Sequence, residues 1–372
     1  MTQVATWVLG RRPALDGLRG LAILLVLCHH LQVLHMDGAG AGGVTVFFTL
    51  SGFLITALLL EERERVGRIN LRRFYERRAR RLLPALILST ALVLAFAPVF
   101  RPIFGDAYLQ PRDLPAVIFY YGNWIEARPH DDIGVLGATW SLAVEEQFYL
   151  VWPLAVIAIA ALGRRQTVML VALLGAAVSL LVRVELLAEG ASKDRIYYAS
   201  DTTAFAILLG CALAAWLGTR RAPRPRWVYT VAGMGLVILP SWWVAEIANR
   251  IAPPIVAVGA VLLLVNIAGD RPRRVLELPV LRWFGTRSYG LYLYHAPLFL
   301  LLARLYGWSG WQLAAGVLPL SFVLAEWSYR RVEMPWRRGP SAAEAAPAGT
   351  APAVSSGSVG HEPRDVVPPR HA

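Results

Sequence analysis

The feature that most constrains the fold of this chain is a succession of apolar runs, each close to the length of a membrane-spanning helix. A spanning helix needs about 20 mostly apolar residues. Of the 372 residues, 56% are hydrophobic and 17% are charged, whereas about a quarter of the residues are charged in a typical soluble domain. The runs therefore predict an all-α polytopic membrane protein with ten transmembrane helices, near residues 14–35, 43–60, 82–100, 140–162, 167–187, 200–218, 227–245, 254–268, 284–305 and 311–328.

The loops between these runs alternate between arginine-rich and arginine-poor. The rich segments are 11–12, 61–81, 163–165, 220–226, 270–274 and 330–338. Because short cytoplasmic loops carry excess arginine, ten spans with both termini in the cytoplasm satisfy this pattern. We expect a multi-pass domain over residues 1–338 in the cell (cytoplasmic) membrane. The Ala-, Pro-, Ser- and Gly-rich segment 339–372 is predicted to be a disordered cytoplasmic tail.

The formal net charge of +12 could be mistaken for a nucleic-acid-binding signature. The arginines lie in short clusters between apolar runs, however, without a helix-turn-helix, zinc or aromatic RNA-binding pattern. We therefore expect the lipid bilayer, and no nucleic acid, as a partner. The two cysteines, Cys28 and Cys211, both lie inside apolar runs and indicate no disulfide framework. We assign no metal ligands.

The first apolar run, "LDGLRGLAILLVLCHH", carries ionisable residues at both ends. Arg19 and His30 are eleven residues apart, which is about three helical turns and about 16 Å of rise, so the two side chains project from nearly one face. His29 is rotated about 100° away from His30. Asp16 can reach Arg19 as an ion pair three residues apart. An ionisable residue at the depth of His30 normally faces a polar cavity, so His30 is a candidate functional residue; a structural interhelical histidine is the alternative.

The segment "RRFYERRARRLLP" lies at the cytoplasmic mouth of the third predicted span. Its six arginines exceed what orientation requires, and they occur where a helix begins. Helix N-termini and bidentate guanidinium groups both favour phosphates. A phosphorylated cytoplasmic ligand, an anionic lipid and simple topology are all compatible with this segment.

Three further segments carry polar groups into or beside the predicted spans. "TWSLAVEEQFYLVWP" places Glu145 and Glu146 at the outer entrance of the fourth span, where they need pairing or hydration. "RSYGLYLYHAPLFL" places His295 near the middle of the ninth span. "FFTLSGFLIT" contains Ser51 and Gly52, which favour close helix packing over a serine nucleophile. The run 116–124 is too short to span and reads as an interfacial or re-entrant piece.

These segments together resemble acyltransferase family 3, the membrane O-acyltransferases of the O-antigen and glycan acetyltransferase and macrolide acyltransferase type. The match includes an arginine, ten residues and a histidine (Arg19 and His30), an Arg-x-x-Arg (Arg78 and Arg81), and "WSLAVEEQFYLVWP", "SYGLYLYHAPL" and "SYRRVEMPW". It covers about residues 13–338. The resemblance implies transfer of an acyl group, most often acetyl, from cytoplasmic acyl-CoA to a hydroxyl of a carbohydrate-containing acceptor.

On this resemblance, we expect no permanently bound cofactor and acyl-CoA as a co-substrate. His30 would act as the general base and Arg19, oriented by Asp16, would stabilise negative charge. Arg77, Arg78 and Arg81 would bind the CoA phosphates. Glu145 and Glu146 would bind sugar hydroxyls from the outside or support His30, and His295 would be a second polar contact. A covalent acyl-histidine or acyl-serine intermediate stays open.

The chain departs from many relatives at polar positions that could contact the acceptor: Thr45, Ala138, Thr203 and Phe205. Longer relatives also carry an appended extracytoplasmic hydrolase-like domain. Without one, we expect transfer to finish inside the membrane domain or on a separate extracytoplasmic transferase protein. A transporter of a small anion or glycan intermediate is the alternative function, since intramembrane histidines and glutamates suit it equally; a catalytically silent assembly protein is a third reading.

Overall fold

A computed structural model describes residues 7–105, 108–161, 165–219, 223–224, 226–269 and 275–338. Within these ranges the chain is mostly helical and contains no β-strand. The chain divides into a compact unit at residues 1–337 and a second unit at residues 338–372. The predicted tail at 339–372 lies outside the described residues.

The described ranges contain fourteen α-helices: α1 (Pro13–His30), α2 (Ala39–Val66), α3 (Leu71–Phe104), α4 (Asp113–Ile118), α5 (Gly122–Glu126), α6 (Trp140–Ala161), α7 (Arg165–Ala188), α8 (Lys193–Tyr198), α9 (Ser200–Leu217), α10 (Trp227–Ile238), α11 (Ala245–Ala268), α12 (Pro279–Tyr306), α13 (Gly310–Ser328) and α14 (Met334–Arg338). The 3₁₀ segment Gly134–Thr139 precedes α6, and the 3₁₀ segment Leu239–Trp242 follows α10. A π-helical turn, Tyr329–Glu333, follows α13. The short helices α4 and α5 cover the run 116–124, as expected for a segment that does not span.

Six helical segments in the described part of the chain are long and apolar enough to cross a membrane: Ala39–Val66, Leu71–Phe104, Gly134–Ile159, Arg165–Ala188, Lys193–Leu217 and Ala245–Ala268. They confirm an all-α membrane protein. The other four predicted spans correspond to α1, α10, α12 and α13. Helix α10 has 12 residues, and α1 and α12 carry ionisable side chains within their lengths. Ten spans and two cytoplasmic termini therefore stay predictions.

Helices α1 and α12 pack so closely that their backbones are in contact. A Cβ atom added to Gly20 would lie 2.0 Å from the Leu281 carbonyl oxygen, and one added to Gly285 would lie 1.7 Å from the Asp16 carbonyl oxygen. Neither position has room for a larger residue, which is typical of small residues at helix contacts in membranes. The other glycine of "LDGLRG", Gly17, is equally close to the segment before α12, since its Cβ would lie 1.6 Å from the Leu276 carbonyl oxygen. The contact with Gly285 places Asp16 against the first half of α12.

Helices α2 and α9 approach each other in the same way. A Cβ atom at Gly52 would lie 1.8 Å from the Ile207 carbonyl oxygen, and one at Gly210 would lie 1.9 Å from the Thr49 carbonyl oxygen. The packing interpretation of this segment is therefore correct for Gly52. The neighbouring Ser51 instead lies on a cavity wall, as described below.

We expect Gly285→Ala to destabilise the protein, because the new methyl group would collide with the α1 backbone; such overpacking typically costs about 1–3 kcal/mol. Gly235→Ala is the matched control, since its Cβ would lie 3.9 Å from the Leu239 Cδ1 atom, an ordinary contact. Thermal unfolding of the purified protein in detergent measures both. Equal midpoints for Gly285→Ala and the wild type would contradict the backbone contact.

Candidate active site

The first of two cavities in the helical bundle is rich in arginine, and we call it the arginine cavity. Its inner part is about 380 Å³ and its mouth about 810 Å³. Both parts are lined by Leu58, Phe74, Arg78 and Arg81, so they are continuous. The ionisable side chains of the inner wall are Arg11, Arg12, Asp16, Arg19, Arg78, Arg81, Glu145, Glu146, Tyr149, Tyr289 and Tyr292. Arginines outnumber carboxylates there by five to three, which suits an anionic ligand.

Arg78 on α3 is held against α6 by two carboxylates and an aromatic ring. Its Nε atom donates to Glu146 Oε2 at 2.9 Å and to Oε1 at 3.0 Å, and a terminal nitrogen lies 3.9 Å from a Glu145 oxygen. Its guanidinium carbon lies 3.2 Å from the centroid of the Tyr149 ring. Charge-assisted bonds of this type are strong and directional. The need of these two glutamates for pairing is thus met by an arginine of another helix.

The other predicted arginines occupy different parts of the same cavity. Arg19 lies 3.9 Å from Asp16, so the predicted ion pair along α1 is present. Arg77 is in the mouth, 3.7 Å from Glu62. Arg81 is exposed within the cavity and forms no ion pair with any residue that the structure describes. The Arg81 guanidinium is therefore available to a ligand.

Glu145 and Glu146 lie in the arginine cavity, whereas His30 lines the other cavity. Their expected role, which is to bind sugar hydroxyls from the outside or to support His30, stays a prediction. Both lie within helix α6 and line the same cavity as the arginines of α1 and α3. Ser51 shares hydrogen bonds with Glu145 and Tyr149, so its hydroxyl belongs to the polar wall of this cavity.

The second cavity, which we call the histidine cavity, is about 600 Å³. Its wall consists of His30, Phe104, Glu126, Asp132, Gly134, Gly137, Ala138, Trp140, Tyr198, Ala296, Phe299, Leu300, Ala303 and Arg304. The His30 Nδ1 atom lies 2.9 Å from the Val26 carbonyl oxygen. A carbonyl oxygen only accepts, so Nδ1 carries the proton and Nε2 keeps a lone pair, the form that a general base requires. His29 instead packs on α2, where a Cβ at Gly40 would lie 2.6 Å from its ring.

A thin wall of side chains divides the two cavities. The fully buried His295 ring lies 5.0 Å from the His30 ring and 5.7 Å from the Tyr292 ring, measured between centroids. Tyr292 and Ser141 line the arginine cavity and their hydroxyls are 2.6 Å apart. The predicted site residue His295 therefore contacts His30, and this row of side chains connects one cavity wall to the other.

The four positions that depart from many relatives have different environments. Ala138 lines the histidine cavity. Thr45 and Thr203 are buried and donate to the Ala41 and Ala199 carbonyls at 2.7 and 2.8 Å, and Phe205 is in the hydrophobic core. Of these four positions, Ala138 is the one that forms part of the surface of the histidine cavity. The hydroxyls of the two threonines are bonded to carbonyl oxygens of their own helices or of the residue before them.

Sequence reasoning missed Glu126, a buried carboxyl in the wall of the histidine cavity. It ends α5, outside the membrane-spanning segments, and burial raises its pKa to about 7. The signal was available: "GNWIEA" places a glutamate inside an otherwise apolar and aromatic segment. Within the described ranges, no group of three or more His, Cys, Asp or Glu side chains is arranged to hold a metal ion.

Comparisons with known proteins agree with this architecture. The chain is 32% identical to the peptidoglycan O-acetyltransferase OatA of Listeria monocytogenes over 354 residues, which cover 88% of this chain and 56% of that protein. It is 30% identical to the O-acetyltransferase OatA of Staphylococcus aureus over 348 residues, which cover 88% of this chain and 57% of that protein. The chain thus spans about half the length of the curated relatives it matches. No solved structure gives a significant match.

The family comparison covers both cavities. The model described as "Acyltransferase domain" matches residues 12–329, which include Arg19, His30, the arginines of α3 and His295. Since this match takes in most of the chain, the protein belongs to acyltransferase family 3, the family that its motifs resemble.

Proposed function

We propose that this protein is an integral membrane O-acyltransferase of the cell membrane. It moves an acyl group, acetyl in the first instance, from cytoplasmic acyl-CoA in the arginine cavity to a hydroxyl of a carbohydrate-containing acceptor in the histidine cavity. The observation that carries the proposal is the wall between the cavities, where His295 lies between Tyr292 and His30. The similarity to the peptidoglycan O-acetyltransferase OatA of Listeria monocytogenes supports a carbohydrate acceptor.

The arginine cavity suits the phosphates of CoA. Arg78 is fixed by Glu146, Arg81 has no competing carboxylate within ion-pair distance among the described residues, and Arg77 extends the positive surface into the mouth. Guanidinium groups bind phosphate oxygens through paired hydrogen bonds. The predicted basic segments around this mouth favour the cytoplasmic side under the positive-inside rule, where acyl-CoA is made.

His30 is the general base in this proposal. As the acceptor oxygen attacks the thioester carbonyl, its proton passes to the lone pair on His30 Nε2, the new C–O bond forms and the C–S bond breaks. CoA leaves as a thiolate and is neutralised by a proton from the buffered solvent that reaches the arginine cavity. His30 releases the proton it took from the acceptor to solvent in the histidine cavity, so the imidazole is again a base for the next turnover. Arg19, oriented by Asp16, stabilises the negative charge of a CoA phosphate in the arginine cavity. Glu145 and Glu146 orient Arg78. The buried His295 packs against the His30 ring and keeps it in position.

The acyl group ends on the carbohydrate itself or passes to a separate extracytoplasmic transferase protein. Both routes use the same donor cavity and the same base. They differ in whether the purified chain acylates a carbohydrate without a second protein.

We expect His30→Ala to lower acetyl transfer by about 10²- to 10⁴-fold, the usual contribution of a positioned general base, and Arg19→Ala to lower it strongly by removing charge stabilisation. His29→Ala is the matched control, because His29 packs on α2 and does not line the histidine cavity. Transfer from radiolabelled acetyl-CoA to peptidoglycan fragments by the full chain in liposomes measures all three. Full activity of His30→Ala at normal protein levels would contradict the assignment.

We expect the double variant Arg78→Ala with Arg81→Ala to weaken acetyl-CoA binding by at least about tenfold, since each lost charged hydrogen bond is worth about 1.5–3 kcal/mol. The control is Arg72→Ala with Arg80→Ala, which removes two arginines of the same helix that do not line the inner cavity or its mouth. Titration of purified protein with acetyl-CoA by calorimetry gives both affinities. Equal affinities for the two double variants would rule out the donor site.

A further inference from the structure

Glu126 is held in the wall of the histidine cavity with one carboxyl oxygen engaged. Its Oε1 atom accepts a hydrogen bond from the Ile133 backbone N–H at 3.0 Å, and a Cβ at Gly137 would lie 3.1 Å from the same oxygen. The second oxygen has no hydrogen-bond partner among the described residues. It is also not among the described polar atoms that are both unpartnered and inaccessible to solvent. This oxygen is therefore open to the cavity that His30 also lines.

A buried polar network fixes the position of the helix that carries Glu126. The side-chain amide of Asn123, on α5, donates to the Tyr198 carbonyl oxygen at 3.2 Å and to the Ser200 hydroxyl at 2.9 Å. Gln147 on α6 donates to Asn123 Oδ1 at 2.8 Å. Three helices thus anchor α5. Such support is what keeps a binding group in place before its ligand arrives.

The charge of Glu126 depends on several neighbours. Burial is the main cause of its raised pKa, close to 7, and the Ile133 N–H opposes it. The titratable and charged groups around it are Asp113, Asp132 and Asp194, which act on it electrostatically, and His30, Tyr198 and Arg304, which line the same cavity. The carboxyl therefore changes between protonated and ionised forms near neutral pH.

We propose that Glu126 is an acceptor-binding residue: its open oxygen accepts a hydrogen bond from a second hydroxyl of the acceptor, which brings the reacting hydroxyl to His30 Nε2. The acceptor class is then a polyhydroxyl compound with neighbouring hydroxyls, since a lone alcohol cannot use both groups. Trp140, Tyr198 and Phe299 supply the aromatic surfaces of the same cavity. This inference rests on the proposed function of the two cavities.

The test compares Glu126→Gln with the wild type in liposomes, using acetyl-CoA and peptidoglycan fragments at pH 8 and pH 5.5. We expect KM for the fragments to rise at least about tenfold at pH 8, because a hydrogen bond to a charged group is lost. At pH 5.5 the two proteins should have similar KM values, since the wild-type carboxyl is then protonated. The kcat value and the affinity for acetyl-CoA should change less than about threefold. Ethanol, a lone alcohol, should be acetylated equally by both proteins.

Glu189→Gln is the matched control, because Glu189 is exposed and lines neither the histidine cavity nor the arginine cavity, and we expect its KM to equal that of the wild type. Glu126→Asp keeps the charge, but its shorter side chain moves the carboxyl oxygen away from the acceptor, so KM should also rise. Unfolding midpoints check that each variant folds. Equal KM values for Glu126→Gln and the wild type at pH 8, with His30→Ala inactive, would overturn this inference and leave the proposed function standing. Absence of transfer to any hydroxyl compound by the wild type would overturn both.

Discussion

The close contact between α1 and α12 is the constraint on which the candidate site depends. Because Gly20 and Gly285 leave no space between the two backbones, the helices run together along their lengths. Arg19 is thereby held at one cavity and His30 at the other, beside Tyr292 and His295 of α12. A helix pair with larger residues at these positions would separate the histidine rings, and the two cavities would no longer share a wall.

The two cavities are matched to opposite chemical tasks. The arginine cavity carries more cations than carboxylates on its inner wall, as binding of a multiply charged phosphate ligand requires. The histidine cavity combines aromatic rings with a histidine, two carboxyls and one arginine, which suits a neutral, hydroxyl-rich ligand. Each ionisable group inside the bundle is expensive unless it is paired or hydrated. The Arg78–Glu146 pair and the open cavities show how this chain meets that cost.

Helical periodicity predicted correctly which side chains of α1 lie on one face. The eleven-residue spacing from Arg19 distinguished His30 from His29. In the structure, His30 lines the histidine cavity and His29 packs against α2. The pairing of Arg19 with Asp16 follows from the same geometry. The partners of Glu145 and Glu146 could not be predicted in this way, because spacing along one helix does not show which neighbouring helix brings Arg78 against α6. The segment "GNWIEA" shows a glutamate among apolar residues, but the position of Glu126 in the cavity wall depends on hydrogen bonds of Asn123 with Gln147 and Ser200, which lie on separate helices.

The wall formed by Tyr292, His295 and His30 has a consequence for the membrane as a permeability barrier. His295 is completely buried, so the row of rings separates the cavities by packed side chains and not by a continuous water column. In the proposed reaction neither the nucleotide nor the sugar crosses the bilayer; a group of two carbon atoms changes partners at the wall. On that proposal, acetylation of the acceptor leaves coenzyme A on its own side of the wall.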